Sequence, residues 1–282
     1  MNWLILAGLK TGCGDHVIGY QSSSVIWAGS LYIRNAVGLV VIGLTLLGAS
    51  TKPLHAAPIR AATDEWPPFR ILTDEGFTGL DLDLIHEVGK RIGTEIDVVR
   101  MPWGRGLASM QTGAVDVMTG LAYRKERAEY IAYTDTPYYA CETAFYTPAS
   151  RPVSITSYED LREHTVGFVL HSAYFEQFDQ DTTLDKLGVA AENILIDMTK
   201  RGRLDVMIGT DCQVDYYLKT QGLGDRIVKI EYRPGNTVNL FLGVSRQSEW
   251  AERVDELNTI VKDLVDEGIV DAFARRYYDN PS

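Results

Sequence analysis

The sequence predicts an α/β protein, and three observations lead there. After residue 58, short apolar runs of strand length alternate with stretches whose apolar residues recur three and four apart. At Pro148, Ser150 and Pro152 the composition shifts in a way that reads as a crossing between two halves of the chain. The 282 residues are 45% apolar, with no repeat or low-complexity tract, enough for one large or two small domains.

Taken in order, Ile59 to Thr63 is a strand candidate. Asp64-Glu65-Trp66-Pro67-Pro68-Phe69 ends it, because paired prolines cannot continue a ladder. Gly79 to Gly93 reads as a helix. Leu80, Leu84 and Val88 recur four apart, and Leu82 and Ile85 widen the apolar face. Asp81 and Asp83 sit in its first turn, where negative charge suits the helix dipole. We read them as capping residues rather than as a metal or acid/base pair. Glu95 to Val99 alternates as a half-buried strand. Leu107, Met110 and Val115 carry an apolar pattern onward, and Val115 to Met118 is a buried strand that ends at Gly120. Ser157 to Leu161 is a capped helix start. Val166 to Leu170 is a buried strand, and His171 to Phe175 begins the next helix. Val238 to Arg246 is a strand. From Trp250 to Tyr278 the residues Val254, Leu257, Ile260, Val261, Leu264 and Val265 keep helical period.

Formal net charge is −11. Residues 1–57 hold Lys10, Arg34, Lys52 and Asp15, which leaves 24 basic and 37 acidic residues in the remainder. An acidic surface disfavours nucleic acid and anionic membrane but permits a locally basic pocket. Ala36 to Ala49 is an apolar run between Arg34 and a small-residue end at Ala56-Ala57, the pattern of a secretory signal peptide. A membrane span needs about 20 apolar residues, more than this run offers. The cleavage site is imperfect, since Leu54 or His55 falls at the third position back, and an uncleaved anchor is the alternative. Residues 1–57 are therefore expected to be a leader, with the remainder exported. Cys13 lies in the leader. Cys141 and Cys212 are either one disulfide or two free buried thiols.

The stretch from Gly113 to Tyr139 carries the chemistry. Arg124, Lys125 and Arg127 follow directly on a strand end, beside a glycine that lets backbone approach. That makes an anion seat, because a guanidinium holds a carboxylate by two parallel charged hydrogen bonds. On spacing alone, a solvated basic turn explains the same residues. GLAYRKERAEYIAYTDTPYY resembles the signature of bacterial periplasmic solute-binding protein family 3, the amino-acid-binding type that serves ABC importers. The pattern there is roughly G-x-[ST]-x-T-x-x-R, then a segment ending Pro-Tyr-Tyr, and its arginine falls on Arg127. The resemblance continues along the chain after residue 58. It includes the EWPPF loop, the GLDLDLI helix start, the W-x-R at Trp103 and Arg105, the strand GRLD at 202–205 and the closing helix pair. Each motif is degenerate singly; as an ordered set they are specific.

The resemblance implies a type II periplasmic-binding-protein-like fold: α/β and two-lobed, each lobe a sheet flanked by helices, with two hinge crossings. Residues 58–147 with 239–282 would form lobe 1, and 148–238 lobe 2. Arg127 would grip a ligand carboxylate and Trp66 would cover the ligand, or else pack on its own loop's prolines. Trp103 would sit at the cleft rim, while Arg105 is solvated or paired with a nearby acid. His171-Ser172-Ala173 matches G-x-x-x-G-[ST]-[ST], whose hydroxyls and helix N-terminal N–H groups meet the ligand from the opposite lobe. His171 stands where the family usually has glycine, with a ligand-contact or structural role. Gly120 and Thr210 would shape the floor, and Ala122 and Ala173 would line the site, Ala173 standing where the family often has serine or threonine. Cys141 and Cys212 fall near the hinge, which favours the bridge.

Three departures bear on the ligand. Thr210, not Asp211, falls where the family has its amino-group acceptor aspartate. Ala122 replaces a hydroxyl, and Arg124 replaces a threonine. A buried ammonium wants a carboxylate partner, since an unpaired charge there costs several kcal/mol. Unless Asp211 swings in, these losses favour a carboxylate or otherwise anionic solute over a standard α-amino acid. The expectation is a monomeric binding protein that closes on a small carboxylate-bearing solute and hands it to an ABC transporter permease, with no cofactor or metal. The alternatives are an enzyme of the cyclohexadienyl dehydratase type, using Glu65, Glu142 or His171 as general acid, and a ligand-sensing partner of a membrane receptor.

Overall fold

The structure is a computed structural model and describes residues 57–279. The leader expectation, with Cys13 and the apolar run 36–49, lies outside the described residues. Among the described residues no helix is long and apolar enough to cross a membrane.

The first half begins with β1 (Ile59–Thr63), a hairpin of β2 (Ile71–Thr73) and β3 (Gly76–Thr78), α1 (Leu80–Ile92), β4 (Ile96–Arg100), α2 (Trp103–Thr112), β5 (Val117–Leu121), α3 (Lys125–Ala128) and β6 (Ile131–Tyr133). The long strand β7 (Tyr139–Pro148) leads away. Beyond it come β8 (Val166–Val169), α4 (Glu176–Gln180), β9 (Lys186–Val189), α5 (Glu192–Lys200), β10 (Val206–Thr210), α6 (Asp211–Thr220) and β11 (Ile227–Lys229). A second long strand, β12 (Thr237–Ser245), returns the chain to α7 (Val254–Asp266) and α8 (Ile269–Tyr278).

Two strand groups result. β4, β1, β5 and β12 lie side by side, with β6 also on β12. β7, β10, β8 and β9 form the other group, with β11 also on β7. Among the described residues, strand pairing joins the groups only through the antiparallel pairing of Tyr139–Glu142 with Thr237–Leu240. Parallel pairing of β1 with β4 and β5, and of β8 with β9 and β10, demands helical crossovers, which cover the sheets. Val206-Met207-Ile208 is a continuous apolar run for that reason. Val206 and Ile208 face one core, and Met207 faces another across the sheet.

Helix α1 forms as its spacing requires. Leu80, Leu84, Ile85 and Val88 are buried, and Gly93 closes the helix in the left-handed conformation at φ 77°. In α7, Leu257, Ile260, Val261 and Leu264 face the same core as α1. Each such side chain contributes roughly 1.5–3 kcal/mol by leaving water. Cys141 of β7 and Cys212 of α6 are joined in a disulfide, with Cα atoms 5.6 Å apart.

Three local expectations are corrected. Asp81 is not a surface cap. It is fully buried, and its carboxylate takes Arg70 Nη1 at 2.6 Å and the Tyr138 hydroxyl at 2.6 Å. Gly79 stands at the N-cap instead, with no side-chain cap. The segment His171–Phe175 is not a helix start. His171 takes a left-handed φ of 63°, Ser172 N–H closes a turn onto Val169 O, and α4 begins only at Glu176. The helix expected from Ser157 is a five-residue 3-10 turn, Glu159–Glu163. Its Asp160 takes the Thr156 and Ser157 N–H groups and is thereby held near a pKa of about 2.

Removing one partner of a buried ion pair leaves the other charge uncompensated, at a cost of about 3–5 kcal/mol. Asp81→Ala should lower unfolding free energy by about that amount in urea titration. Replacing both partners together, as Arg70→Met with Asp81→Leu, should cost less than Asp81→Ala alone.

Candidate functional site

A cavity of about 90 Å³ lies where the two strand groups face one another. The first group supplies Trp66, Arg70, Trp103, Gly120, Ala122 and Arg127 to its wall. Ser172, Ala173, Glu192 and Thr210 line it from the second. Thus eight of the nine residues singled out from the sequence meet at one cavity. His171 does not line it; its ring lies against Gly104.

Arg127 sits in α3, one loop beyond β5, and is buried. Its Nη1 donates to Ala122 O at 3.3 Å, and its Nη2 donates to His171 O. Burial pulls the guanidinium pKa below its ordinary value, with Arg124 adding to the effect. Both of its acceptors are carbonyls, so the charge faces no carboxylate at hydrogen-bond range among the described residues. The His171 carbonyl also takes Trp103 Nε1 at 3.3 Å. Both the main chain at His171 and its imidazole, which lies against Gly104 of α2, therefore meet the opposite side. Arg124 makes the second crossing. Its Nη2 donates to Ser172 O at 2.6 Å and pairs with Asp179 Oδ2 at 2.9 Å.

Gly120 has φ 71°, and a Cβ there would stand 2.6 Å from Arg70 Nη1 and 3.2 Å from the Trp66 ring. Its N–H donates to the Tyr138 hydroxyl at 2.8 Å. Trp66 stacks on Phe69 of its own loop at 4.4 Å, with Arg70 5.0 Å from its ring centre. The tryptophan therefore packs on its loop and lines the cavity as well. The sealing helix N-terminus expected at Ser172 is absent; a turn presents Ser172 and Ala173 instead. Asp211 does not swing in. Its Oδ1 takes the N–H groups of Glu142 at 2.9 Å and Cys212 at 2.7 Å, at the start of α6. Of the three acids weighed for catalysis, only Glu65 reaches the cavity wall.

Sequence reasoning missed three charged residues here: Asp64, whose Oδ2 accepts the Trp103 N–H at 2.9 Å, Arg70 and Glu192. Arg70 directly follows the proline loop, and its position beside an aromatic was the available signal. Glu192 opens α5, where a glutamate reads as a simple helix-dipole residue. Glu192 as a residue is half-buried, but its Oε1 is enclosed without a hydrogen-bond partner. Burial alone pushes the carboxyl up to about 8.

The sign of the resulting pH dependence follows from the ordinary glutamate value of 4.5. Between 4.5 and about 8 the folded chain holds a proton that the unfolded chain has lost. The stabilising contribution is full below that window and is lost as pH rises through it. The thermal midpoint of the wild type should therefore fall relative to that of Glu192→Gln as pH is raised from about 5 to 8.

Residues 59–280 match the family of bacterial extracellular solute-binding proteins, family 3. The L-cystine-binding protein TcyA of Bacillus subtilis (strain 168) is 24% identical over 201 residues, covering 71% of this chain and 72% of that protein. The histidine-binding periplasmic protein of Escherichia coli (strain K12) is 26% identical over 261 residues, covering 85% of this chain and 96% of the relative. The substrate-binding protein of an amino acid ABC transporter superposes with a TM-score of 0.68 at 19% identity, covering 79% of this chain and 99% of the other. With two strand groups closing on one cavity, and a family match across nearly all the described residues, this chain belongs to the bacterial extracellular solute-binding proteins of family 3.

Proposed function

We propose that this protein captures a small carboxylate-bearing molecule between its lobes in the periplasm and delivers it, as a monomer, to the permease of an ABC importer. Lobe 1 comprises residues 58–142 and 239 onward and lobe 2 residues 143–238, a boundary earlier than the expected residue 147 because Thr143–Pro148 pair with β10 and β11, and β7 and β12 carry the chain between the lobes. Arg127 anchors the carboxylate. Trp66 and Trp103 form one wall, Ser172 and Ala173 close the opposite one, and Gly120, Ala122 and Thr210 shape the floor. His171 contributes its backbone carbonyl, which holds Arg127 and Trp103 in place.

The observation that carries this reading is the buried Arg127 guanidinium at a cavity walled by both strand groups, hydrogen-bonded to carbonyls and to no acid. A guanidinium so placed gains most from a planar anion that takes two of its N–H groups. Relatives named for cystine and histidine support a ligand of amino-acid size. Closure about two crossing strands is a hinge motion, and a ligand that touches both lobes shifts the open–closed population.

An enzyme on the same fold would convert its ligand, whereas a carrier releases it unchanged. Mass spectrometry of a solute incubated with the protein should return the starting mass. Arg127→Met should weaken binding of the solute by on the order of 100-fold, from the loss of charged hydrogen bonds worth about 1.5–3 kcal/mol each. Calorimetric titration checks this, and an unchanged affinity would remove the reading.

A further inference from the structure

Two sets of contacts join the lobes besides the short pairing of β7 with β12. One lies beside the crossing strands. There the Tyr278 hydroxyl of α8 donates to Cys212 O at 3.1 Å, and its ring packs against Tyr139 and Tyr216. The other set lies across the cavity and converges on residues 171–179. Trp103 and Arg127 donate to His171 O, while Arg124 donates to Ser172 O and pairs with Asp179. Rotation about the crossing strands keeps contacts near its axis and separates those far from it.

Arg124 differs from the other two crossing residues. Trp103 and Arg127 line the cavity, whereas Arg124 lines the two grooves that adjoin it from outside. It is placed to join the lobes rather than to touch a solute held within. Its partner is already held in position. Asp179 Oδ2 accepts the Tyr174 N–H at 3.1 Å inside the same lobe, so closing has little carboxylate freedom left to remove. The two side chains are 29% and 15% exposed, and water screens such a pair less than one at the open surface.

We propose that Arg124 and Asp179 form a latch between the lobes, which shifts the open–closed balance toward closure without any contact to the solute. The inference rests on the hinge motion proposed above and not on the chemistry of the solute. When the lobes part, the guanidinium loses the Ser172 carbonyl and the Asp179 carboxylate together. Apparent affinity scales with the fraction of protein already in the binding-competent form. The latch therefore strengthens capture of every solute that the closed form accepts, and leaves the choice among them to the cavity wall.

Small-angle X-ray scattering, on protein dialysed free of small molecules, reads this balance through the radius of gyration. Arg124→Gln and Asp179→Asn should each enlarge the radius and lower the fitted closed-to-open ratio by roughly threefold or more, the scale of a partly exposed charge pair. The exchanged pair, Arg124→Asp with Asp179→Arg, should scatter with a smaller radius than Arg124→Asp alone. A general weakening of the fold would give no such rescue, and its absence overturns the latch. If both single variants scatter as the wild type does while Arg127→Met enlarges the radius, the latch is wrong and the hinge reading stands. If Arg127→Met leaves the radius unchanged as well, the lobes do not part, and the hinge reading falls together with the latch.

Discussion

A charge withdrawn from water must be met by an opposite charge or by well-placed dipoles, and the interior facing the cavity is arranged around that requirement. Arg70 is met by Asp81, whose other oxygen takes the Tyr138 hydroxyl, and that hydroxyl in turn accepts the N–H of Gly120. The chain thereby ties α1, β5 and the segment before β7 into one polar strut beneath the cavity floor. Arg124 is met by Asp179 from the other strand group. Arg127 finds carbonyls, and Glu192 finds no partner for its Oε1. The groups matched inside the protein build the scaffold. On the reading proposed for Arg127, the group left without an ionic partner defines what a bound solute would supply.

The same logic explains the division of the chain. Each strand group has its own apolar cores, and among the described strands only the pairing of β7 with β12 joins the groups. Few main-chain hydrogen bonds join the halves, so their relative position is set largely by contacts across the cavity. The Cys141–Cys212 disulfide lies beside this junction and anchors the crossing strand to α6.

What was legible in the sequence depended on how local its cause was. The amphipathic spacing in α1 and α7 is decided within each helix, so Leu80, Leu84 and Val88, or Leu257, Val261 and Leu264, show their face without knowledge of the rest. Arg127 stood out because its motif is contiguous. Glu192 did not, since its Oε1 lies beside Gly209, far along the chain, and a glutamate opening a helix needs no special explanation. Asp81 misled for the same reason: helix-dipole chemistry accounts for it until Arg70 is seen eleven residues away. The turn at His171 escaped because its φ of 63° is unusual for any residue other than glycine.

The His171 carbonyl has a consequence of its own. By accepting from Arg127 and Trp103, it acts as a placeholder that the chain carries for itself. An incoming solute competes with an oxygen already in position, so weak acceptors gain nothing by entering. On the carboxylate reading proposed for Arg127, only a group that rewards the guanidinium better than a peptide oxygen does would be retained, and selectivity would begin with that internal rival rather than with the walls.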